Sequence, residues 1–164
     1  MKRLIFAILA MLLVAQPAVL AAQETLPPWR QELPAGRERA TIMVGVTELD
    51  VDLAITPDQQ QLGLGYRNGL DEGTGMLFLG DAPRTRTFWM KGMRFCLDII
   101  WIENGEITGA AESVCPDPVG TEDADRARFN SEVPVTHVLE VPAGWMQEHG
   151  YGPGTPVYLG DLGS

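Results

Sequence analysis

Four charged side chains on or beside apolar segments are the residues of this sequence that could do chemistry. Lys91 and Asp98 lie in the segment TFWMKGMRFCLDII (residues 87–100), where each alternates with apolar neighbours. Glu140 lies inside the apolar segment HVLEV, and Arg67 follows a short helix-like segment. Because an isolated buried ion costs several kcal/mol, each of these charges must be paired or must line a cavity that solvent can enter.

The four charges allow two interpretations. In the first, they form a structural network of two ion pairs, Arg67–Asp98 and Lys91–Glu140. In the second, they line a small polar pocket for an anionic or polyol ligand, with the two cations as donors and the two carboxylates as acceptors. Trp89 alternates with Lys91 and joins the candidate ligand-binding residues in this second interpretation.

A small hydrolase or lyase is an alternative that uses the same residues. Asp98 and Glu140 could act as acid and base if their environments separated their pKa values, and a desolvated Lys91 could act as a nucleophile. No serine lies in a G-x-S-x-G motif, and no serine, histidine and carboxylate are arranged in a recognisable context. The spacing specifies no catalytic residue, so we expect a non-catalytic binding or accessory module.

Soft metal ligands offer a third function, the binding of Cu(I). The candidate ligands are Met76, Met90, Met93, Cys96 and His137. Methionines next to aromatic residues are more often core filling, and Met90 and Met93 would point to opposite faces of a straight strand. We therefore predict no metal site and no cofactor.

The two cysteines, Cys96 and Cys115, are predicted to form a disulfide, as an even count in an exported protein indicates. A two-residue turn at Asn104-Gly105 predicts a tight hairpin, in which Cys96 lies opposite Ser113. Cys115 is then a diagonal neighbour, ~7 Å away and at the limit of disulfide geometry. A bulge in the hairpin or a wider turn would bring the two cysteines together.

Residues 1–22 have the layout of a secretory signal peptide, with two basic residues, a short apolar run and small residues around Ala21 and Ala22. The apolar run is shorter than the ~20 residues that a membrane-spanning helix requires, which argues against an anchor. We therefore expect cleavage near Ala21 or Ala22, a periplasmic or secreted protein, and no membrane association after cleavage.

The charge balance excludes some classes of partner. The formal net charge is −10 at pH 7, and it becomes more negative without residues 1–22, which carry two basic residues and no acidic one. Nucleic acids and anionic lipids both require clustered positive charge on the protein. The charge itself identifies no partner; we expect a small molecule or a periplasmic protein, and a monomer.

The chain divides into a leader and one β-rich domain. Residues 23–39 are rich in proline and charge and lack a period, which predicts an extended leader. Alternating apolar residues from position 40 onward predict strands and a single domain over residues 40–162. The acidic segment 116–134 has no usable period, which predicts either a mobile insertion or a functional lid.

Two short helices interrupt the predicted strands. TPDQQQLGLGY begins a helix with Thr56 as N-cap, and the glycines at 63 and 65 end it. PAGWMQEHG predicts a second helix that ends at Gly150. Upstream of both, Val51, Leu53 and Ile55 alternate and are expected to share one face of a strand.

The motifs in this order resemble the domain of unknown function 192 family, a group of small prokaryotic proteins. The resemblance covers about Thr47 to Leu159 and depends on TPDQQQLGLGYR, GMLF, FWMKGMRFCLDIIWI with its NG turn, VLEVPAGW and GYGPGTPV. It implies a compact, mainly β (β-rich α+β) fold with a barrel-like antiparallel sheet, two short helices and frequent export. It implies no established activity, substrate or cofactor.

Three positions depart from the family pattern. Gly65 stands where the family usually has methionine, MKGM replaces MKNT or a close variant, and Cys96 stands where proline usually precedes LD. The cysteine pair is therefore expected to be a local addition rather than part of a family-wide chemistry.

Overall fold

The computed structural model describes residues 38–163. The predicted signal peptide at 1–22 and the predicted leader, except its last two residues, lie outside the described residues. The structure contains the strands β1 (Arg39–Val44), β2 (Thr47–Ala54), β3 (Thr74–Phe78), β4 (Thr87–Phe88), β5 (Leu97–Glu103), β6 (Glu106–Val114), β7 (Phe129–Asn130), β8 (His137–Pro142) and β9 (Val157–Tyr158), and the helices α1 (Pro57–Leu62) and α2 (Trp145–His149), followed by a 3-10 turn (Gly160–Gly163).

Seven strands form one curled sheet in the order β6-β5-β8-β3-β2-β1-β9, which makes a half-barrel and confirms the mainly β, barrel-like class. One pairing differs from the antiparallel expectation, because β2 and β3 run parallel. The chain between them crosses over through α1, as a parallel connection requires. The two ends of the sheet meet where the Ile107 N–H donates to the Thr155 carbonyl over 2.9 Å.

Both faces of the central strands are buried. One face belongs to a cluster that we call the α2 core, because Trp145 and Met146 of α2 pack in it. The other face belongs to the Met76 core, which also contains Phe78 and Met90. In β5, Ile100 and Ile102 join the α2 core, whereas Leu97, Ile99 and Trp101 join the Met76 core. Burial on both faces explains why this strand is apolar without alternation.

The predicted short elements are largely present. Thr56 caps α1 through a reciprocal capping box with Gln59, and Gly63 ends the helix with φ of 52°. Val51 and Leu53 are buried on one face of β2, but Ile55 lies beyond the strand and is 45 % exposed. The expectation that Ile55 shares their face is therefore wrong, because the strand ends one residue before it.

The hairpin of β5 and β6 turns at Asn104-Gly105, as predicted, with φ of 51° and 75°. Two register shifts follow, one between Trp101 and Ile102 and one between Leu97 and Ile99. Each shift moves the opposing strand by one residue, so that Cys96 lies opposite Cys115 rather than opposite Ser113. The two cysteines form a disulfide with their Cα atoms 4.1 Å apart.

Asp98 is fully buried, and it does not pair with Arg67 as expected in the first interpretation. Its Oδ1 accepts hydrogen bonds from the backbone N–H groups of Ser113 (2.7 Å) and Gly144 (3.1 Å), and its Oδ2 accepts one from the N–H of Met146 (2.9 Å). Ser113 has a positive φ of 52° at the second register shift. One carboxylate therefore joins the bulge of the hairpin to the first turn of α2.

The segment from Trp89 to Cys96 is not a strand, so the strand-like alternation expected around Lys91 is absent. Gly92 has φ of 72°, and the Met93 N–H donates to the Met90 carbonyl over 3.1 Å, which closes a turn. Arguments from the alternation of a straight strand therefore do not apply here. Met90 is buried in the Met76 core, and Met93 packs against the same core.

We predict that Asp98→Ala lowers the free energy of unfolding by about 3 kcal/mol or more. The substitution removes the acceptor of three N–H groups, of which that of Met146 is buried and those of Ser113 and Gly144 are partly buried. A buried group without its acceptor costs roughly 1–3 kcal/mol. Urea unfolding measures the change. Asp50→Ala is the matched control, because Asp50 is exposed and its carboxylate accepts, among residues 38–163, only the Thr41 hydroxyl. Equal stability of the two variants would contradict the role given to Asp98.

Candidate functional site

A cavity of about 420 Å³ lies between α1, the segment that contains β4, and strands β3 and β8. Its wall includes the end of α1 from Gln60 to Leu64, Phe78 of β3, residues 84–89, and Glu140 of β8. We call it the Arg86 cavity, after the buried cation in its wall. It lies on the side of the sheet that carries the Met76 core, since Phe78 belongs to both.

The cavity brings together three of the five predicted ligand-binding residues, Trp89, Lys91 and Glu140. Glu140 is central in the sheet, opposite Met76 of β3 and Ile99 of β5, and is only 6 % exposed.

Arg67 and Asp98 do not line the cavity. Arg67 forms an ion pair with Asp52 over 2.6 Å. Asp98 accepts hydrogen bonds from backbone N–H groups on the face of the sheet that carries the α2 core. The four predicted charges therefore do not form one site. The proposed acid and base, Asp98 and Glu140, are on opposite faces of the sheet, because Asp98 alternates with Ile100 and Glu140 alternates with Val138.

Arg86 is the cavity residue that the sequence did not single out. It is 6 % exposed, and its guanidinium donates to two main-chain carbonyls, from Nη2 to Thr136 (2.7 Å) and from Nε to Val135 (3.5 Å). Its own N–H donates to the Ser131 hydroxyl over 2.9 Å. Among residues 38–163, neither N–H group of Nη1 has a hydrogen-bond acceptor. A buried cation is thus held in place with one donor nitrogen left over.

Gly80 makes room for this guanidinium. A Cβ atom at Gly80 would lie 1.7 Å from Nη2 of Arg86 and 2.3 Å from the Thr136 carbonyl oxygen, distances that no real Cβ occupies. Arg84 precedes Arg86 by two residues on an extended segment and bridges to Val135. This Arg-x-Arg spacing is the sequence signal that could have indicated the site.

The cavity has a positive electrostatic environment. Burial lowers the pKa of Arg86, and the like charge of Arg84 lowers it further, whereas Asp81 partly opposes this. Burial also lowers the pKa of His137. The positive charge of Arg86 lowers this pKa further, whereas the negative charge of Glu103 raises it. A neighbouring positive charge disfavours the protonated form of a basic group and so lowers its pKa.

Lys91 lines both the Arg86 cavity and a second groove of about 720 Å³, which lies between residues 90–94 and 116–126. Its ammonium forms an ion pair with Asp123, in place of the expected pair with Glu140. Asp123 also pairs with Arg126 over 3.1 Å. Hydrogen bonds from Lys91 and Arg126 lower the pKa of Asp123.

Two cations contact the Trp89 ring. The Lys91 ammonium is 5.1 Å from the centre of the Trp89 ring, and the Arg128 guanidinium carbon is 4.4 Å from it, both within cation–π range. Arg128 belongs to the acidic segment 116–134, and β7 of that segment pairs with β4. This segment therefore packs against the wall of the Arg86 cavity through charge and ring contacts.

The proposed copper ligands have other roles in the structure. Cys96 is in the disulfide, Met76 and Met90 are buried in the Met76 core, and Nδ1 of His137 accepts the Gly80 N–H over 3.4 Å. Within residues 38–163, no group of three histidine, cysteine or carboxylate residues is placed to hold a metal ion. No helix in the same range is long and apolar enough to span a membrane.

The fold and the cavity define a small, mainly β, half-barrel protein with a cavity lined by three basic side chains and one carboxylate. The chain belongs to the domain of unknown function 192 family (DUF192, "Uncharacterized ACR"), whose model matches residues 39–159. The resemblance inferred from the motifs is thereby confirmed. The family has no assigned function, and no curated protein matches the chain.

Two solved structures are similar to this chain. One is a protein of Sinorhizobium meliloti 1021 described as a candidate transcription regulator, with 29% sequence identity and a TM-score of 0.67, and the match covers 76% of this chain and 95% of that one. The other is a protein of unknown function from Novosphingobium aromaticivorans DSM 12444, with 27% identity and a TM-score of 0.67, over 75% of this chain and 86% of that one.

We predict that His137 makes folding less stable as the pH falls below about 6.5, the ordinary pKa of histidine. Because burial lowers the pKa of His137 in the folded state, its contribution is complete above pH 6.5. This contribution to stability is lost as the pH falls from 6.5 through the lower pKa of the folded state. In that range His137 binds a proton more readily in the unfolded chain than in the folded chain, which favours unfolding. Urea unfolding at pH 7.5 and 5.5 should show a smaller difference for His137→Gln than for the wild type, and equal differences would refute the assignment.

Proposed function

We propose that this protein is a non-catalytic binding module for a small anionic molecule, which occupies the Arg86 cavity. The observation that carries the proposal is the guanidinium of Arg86, a buried residue of the cavity wall. It donates to two main-chain carbonyls, and its Nη1 has no acceptor among residues 38–163. Guanidinium groups bind carboxylate and phosphate oxygens with directed, charge-assisted hydrogen bonds. The side chain is thus preorganised for an anion.

The charge distribution supports an anionic ligand. Arg84, Arg86 and Lys91 line the cavity, against one carboxylate, Glu140. The whole chain carries a formal net charge of −10, so the cavity is locally positive in a protein that is negative overall. A concave site of one sign concentrates ligands of the opposite sign.

The same contacts support binding over catalysis. Asp98 is committed to three backbone N–H groups, and Lys91 is paired with Asp123, so neither is placed as base or nucleophile. The small hydrolase or lyase and the Cu(I) binder therefore have less support than the binding module. The description of the Sinorhizobium protein is not transferred either, because an acidic chain lacks the charge that nucleic acid binding requires.

We extend the proposal to location and partners. The disulfide between Cys96 and Cys115 and the signal-like residues 1–22 support export to an oxidising compartment, where the protein would act as a periplasmic or secreted monomer. A small molecule is then the partner that the cavity favours over a protein.

Export is tested by expressing the full chain and fractionating the cells. We expect the protein in the periplasm or the medium, with a mature N-terminus close to residue 22 and without free thiols. A full-length protein with two free thiols in the cytoplasm would contradict the export part of the proposal and leave the binding part standing.

Ligand binding is tested by thermal shift and calorimetry with small carboxylates, phosphate, sulfate, neutral polyols and amines. We expect one class of anion to raise the Tm, because a ligand at 100 times its Kd stabilises the folded state by about 2.7 kcal/mol. Arg86→Met should abolish the shift. Arg94→Met is the matched control, because Arg94 is exposed, does not line the cavity, and contacts the Asn68 side chain.

The folding of each variant is checked by circular dichroism, and Arg86→Lys provides a milder change that keeps the charge but loses the fork of donors. Binding of an anion with equal affinity to the wild type and to Arg86→Met, or binding of neutral polyols alone, would overturn the proposal.

A further inference from the structure

We infer that the anion of the Arg86 cavity competes with Asp123 for Lys91, so that residues 116–128 act as a strap that anion binding releases. This inference rests on the proposed function, because it adds a second ligand contact and a means of regulation to the same cavity. It follows from the position of Lys91, which lines both the Arg86 cavity and the neighbouring groove.

Lys91 can serve either of two anions. Among residues 38–163, it is the charged residue that lines both spaces. On the groove side, its ammonium forms an ion pair with the Asp123 carboxylate. On the cavity side, it shares a space of about 420 Å³ with the Arg86 guanidinium. An anion bound by Arg86 is therefore within the same small space as the ammonium that Asp123 now holds.

The ion pair that holds the strap is easily exchanged. The side chain of Lys91 is 31% exposed and that of Asp123 is 50% exposed. A pair with this exposure contributes little to stability, because water solvates both charges and salt screens their attraction. An anion that also contacts Arg86 has a second attachment and can displace Asp123 from Lys91.

The strap has internal bonds that let it move as a unit. Arg126 pairs with Asp117 over 3.4 Å and with Asp123 over 3.1 Å. Asp117 also accepts the Ala127 N–H over 3.3 Å. Nη2 of Arg128 donates to the Asp123 carbonyl over 2.8 Å. These bonds join the strap to itself rather than to the sheet.

The strap buries none of its own residues, since every residue from 116 to 128 is exposed or half-buried. The Arg128 guanidinium lies on the Trp89 ring, which is a further exposed contact with the cavity wall. The ends of the strap are fixed by the disulfide at Cys115 and by the pairing of β7 with β4. Segments with few buried contacts open at a lower free energy than the core.

The competition is tested by calorimetric titration of acetate and of inorganic phosphate into the full chain. We expect Asp123→Asn to bind the anion about twofold to fivefold more tightly than the wild type, because the substitution removes the internal competitor for Lys91. Asp125→Asn is the matched control and should bind as the wild type does. It removes the same charge from the strap, and the exposed Asp125 side chain makes no hydrogen bond or ion pair among residues 38–163.

A double-mutant cycle shows whether the gain in affinity passes through Lys91. We expect Lys91→Met to weaken anion binding, because the ligand loses a charged contact, and we expect Asp123→Asn to bring no gain in that background. Circular dichroism checks that each variant is folded. A gain from Asp123→Asn that is equal with and without Lys91 is a general charge effect and would contradict the inference.

Release of the strap is tested by limited digestion with trypsin, which cleaves after arginine. Arg126 and Arg128 lie in the strap, whereas the exposed Arg94 lies outside it and serves as the internal reference. We expect acetate or phosphate to accelerate cleavage in the strap about twofold or more relative to cleavage after Arg94, because cleavage follows the population of the open segment. Sodium chloride at the same ionic strength controls for screening of the ion pair.

The outcomes distinguish the inference from the proposed function. The inference fails, and the binding module stands, if an anion binds through Arg86 with the same affinity in the wild type and in Asp123→Asn. The same conclusion follows if the bound anion leaves cleavage of the strap unchanged or slows it, or if sodium chloride accelerates cleavage equally. Absence of any Arg86-dependent binding of acetate and phosphate would overturn both.

Discussion

The carboxylate of Asp98 is the interaction on which the rest of this structure depends. It is buried in the middle of the sheet and accepts three backbone N–H groups, one from the bulge at Ser113 and two from the start of α2. A buried charge is tolerated only when such bonds compensate for lost hydration. Because the bulge sets the register of the hairpin, the same carboxylate also places Cys96 opposite Cys115 and fixes where the 116–134 segment begins.

The cavity exists because the sheet is covered on both faces. The α2 core closes one face of the half-barrel, and the Met76 core, with the segments around β4 and β7, covers the other. Arg86 lies where that second covering meets β8, and its guanidinium is held by main-chain carbonyls rather than by an acidic partner. Backbone acceptors orient a cation without neutralising it, so the positive charge stays directed at the cavity.

Lys91 and Trp89 connect this cavity to the acidic segment. The Lys91–Asp123 pair and the contact of Arg128 with the Trp89 ring join residues that are more than thirty positions apart in the chain. The disulfide anchors the start of the same segment. The wall of the cavity is therefore made from chain segments that only long-range contacts bring together.

The sequence by itself determined the local elements: the capping box of α1, the Asn104-Gly105 turn, the cysteine pair, and the mainly β class with its family. These follow from side-chain types at short spacing, whose physics is local. Only the tertiary structure decided the two register shifts, the partners of Asp98 and Lys91, and the burial of Arg86. Each depends on which strands lie side by side, and the residue pattern along one strand does not specify its neighbouring strands.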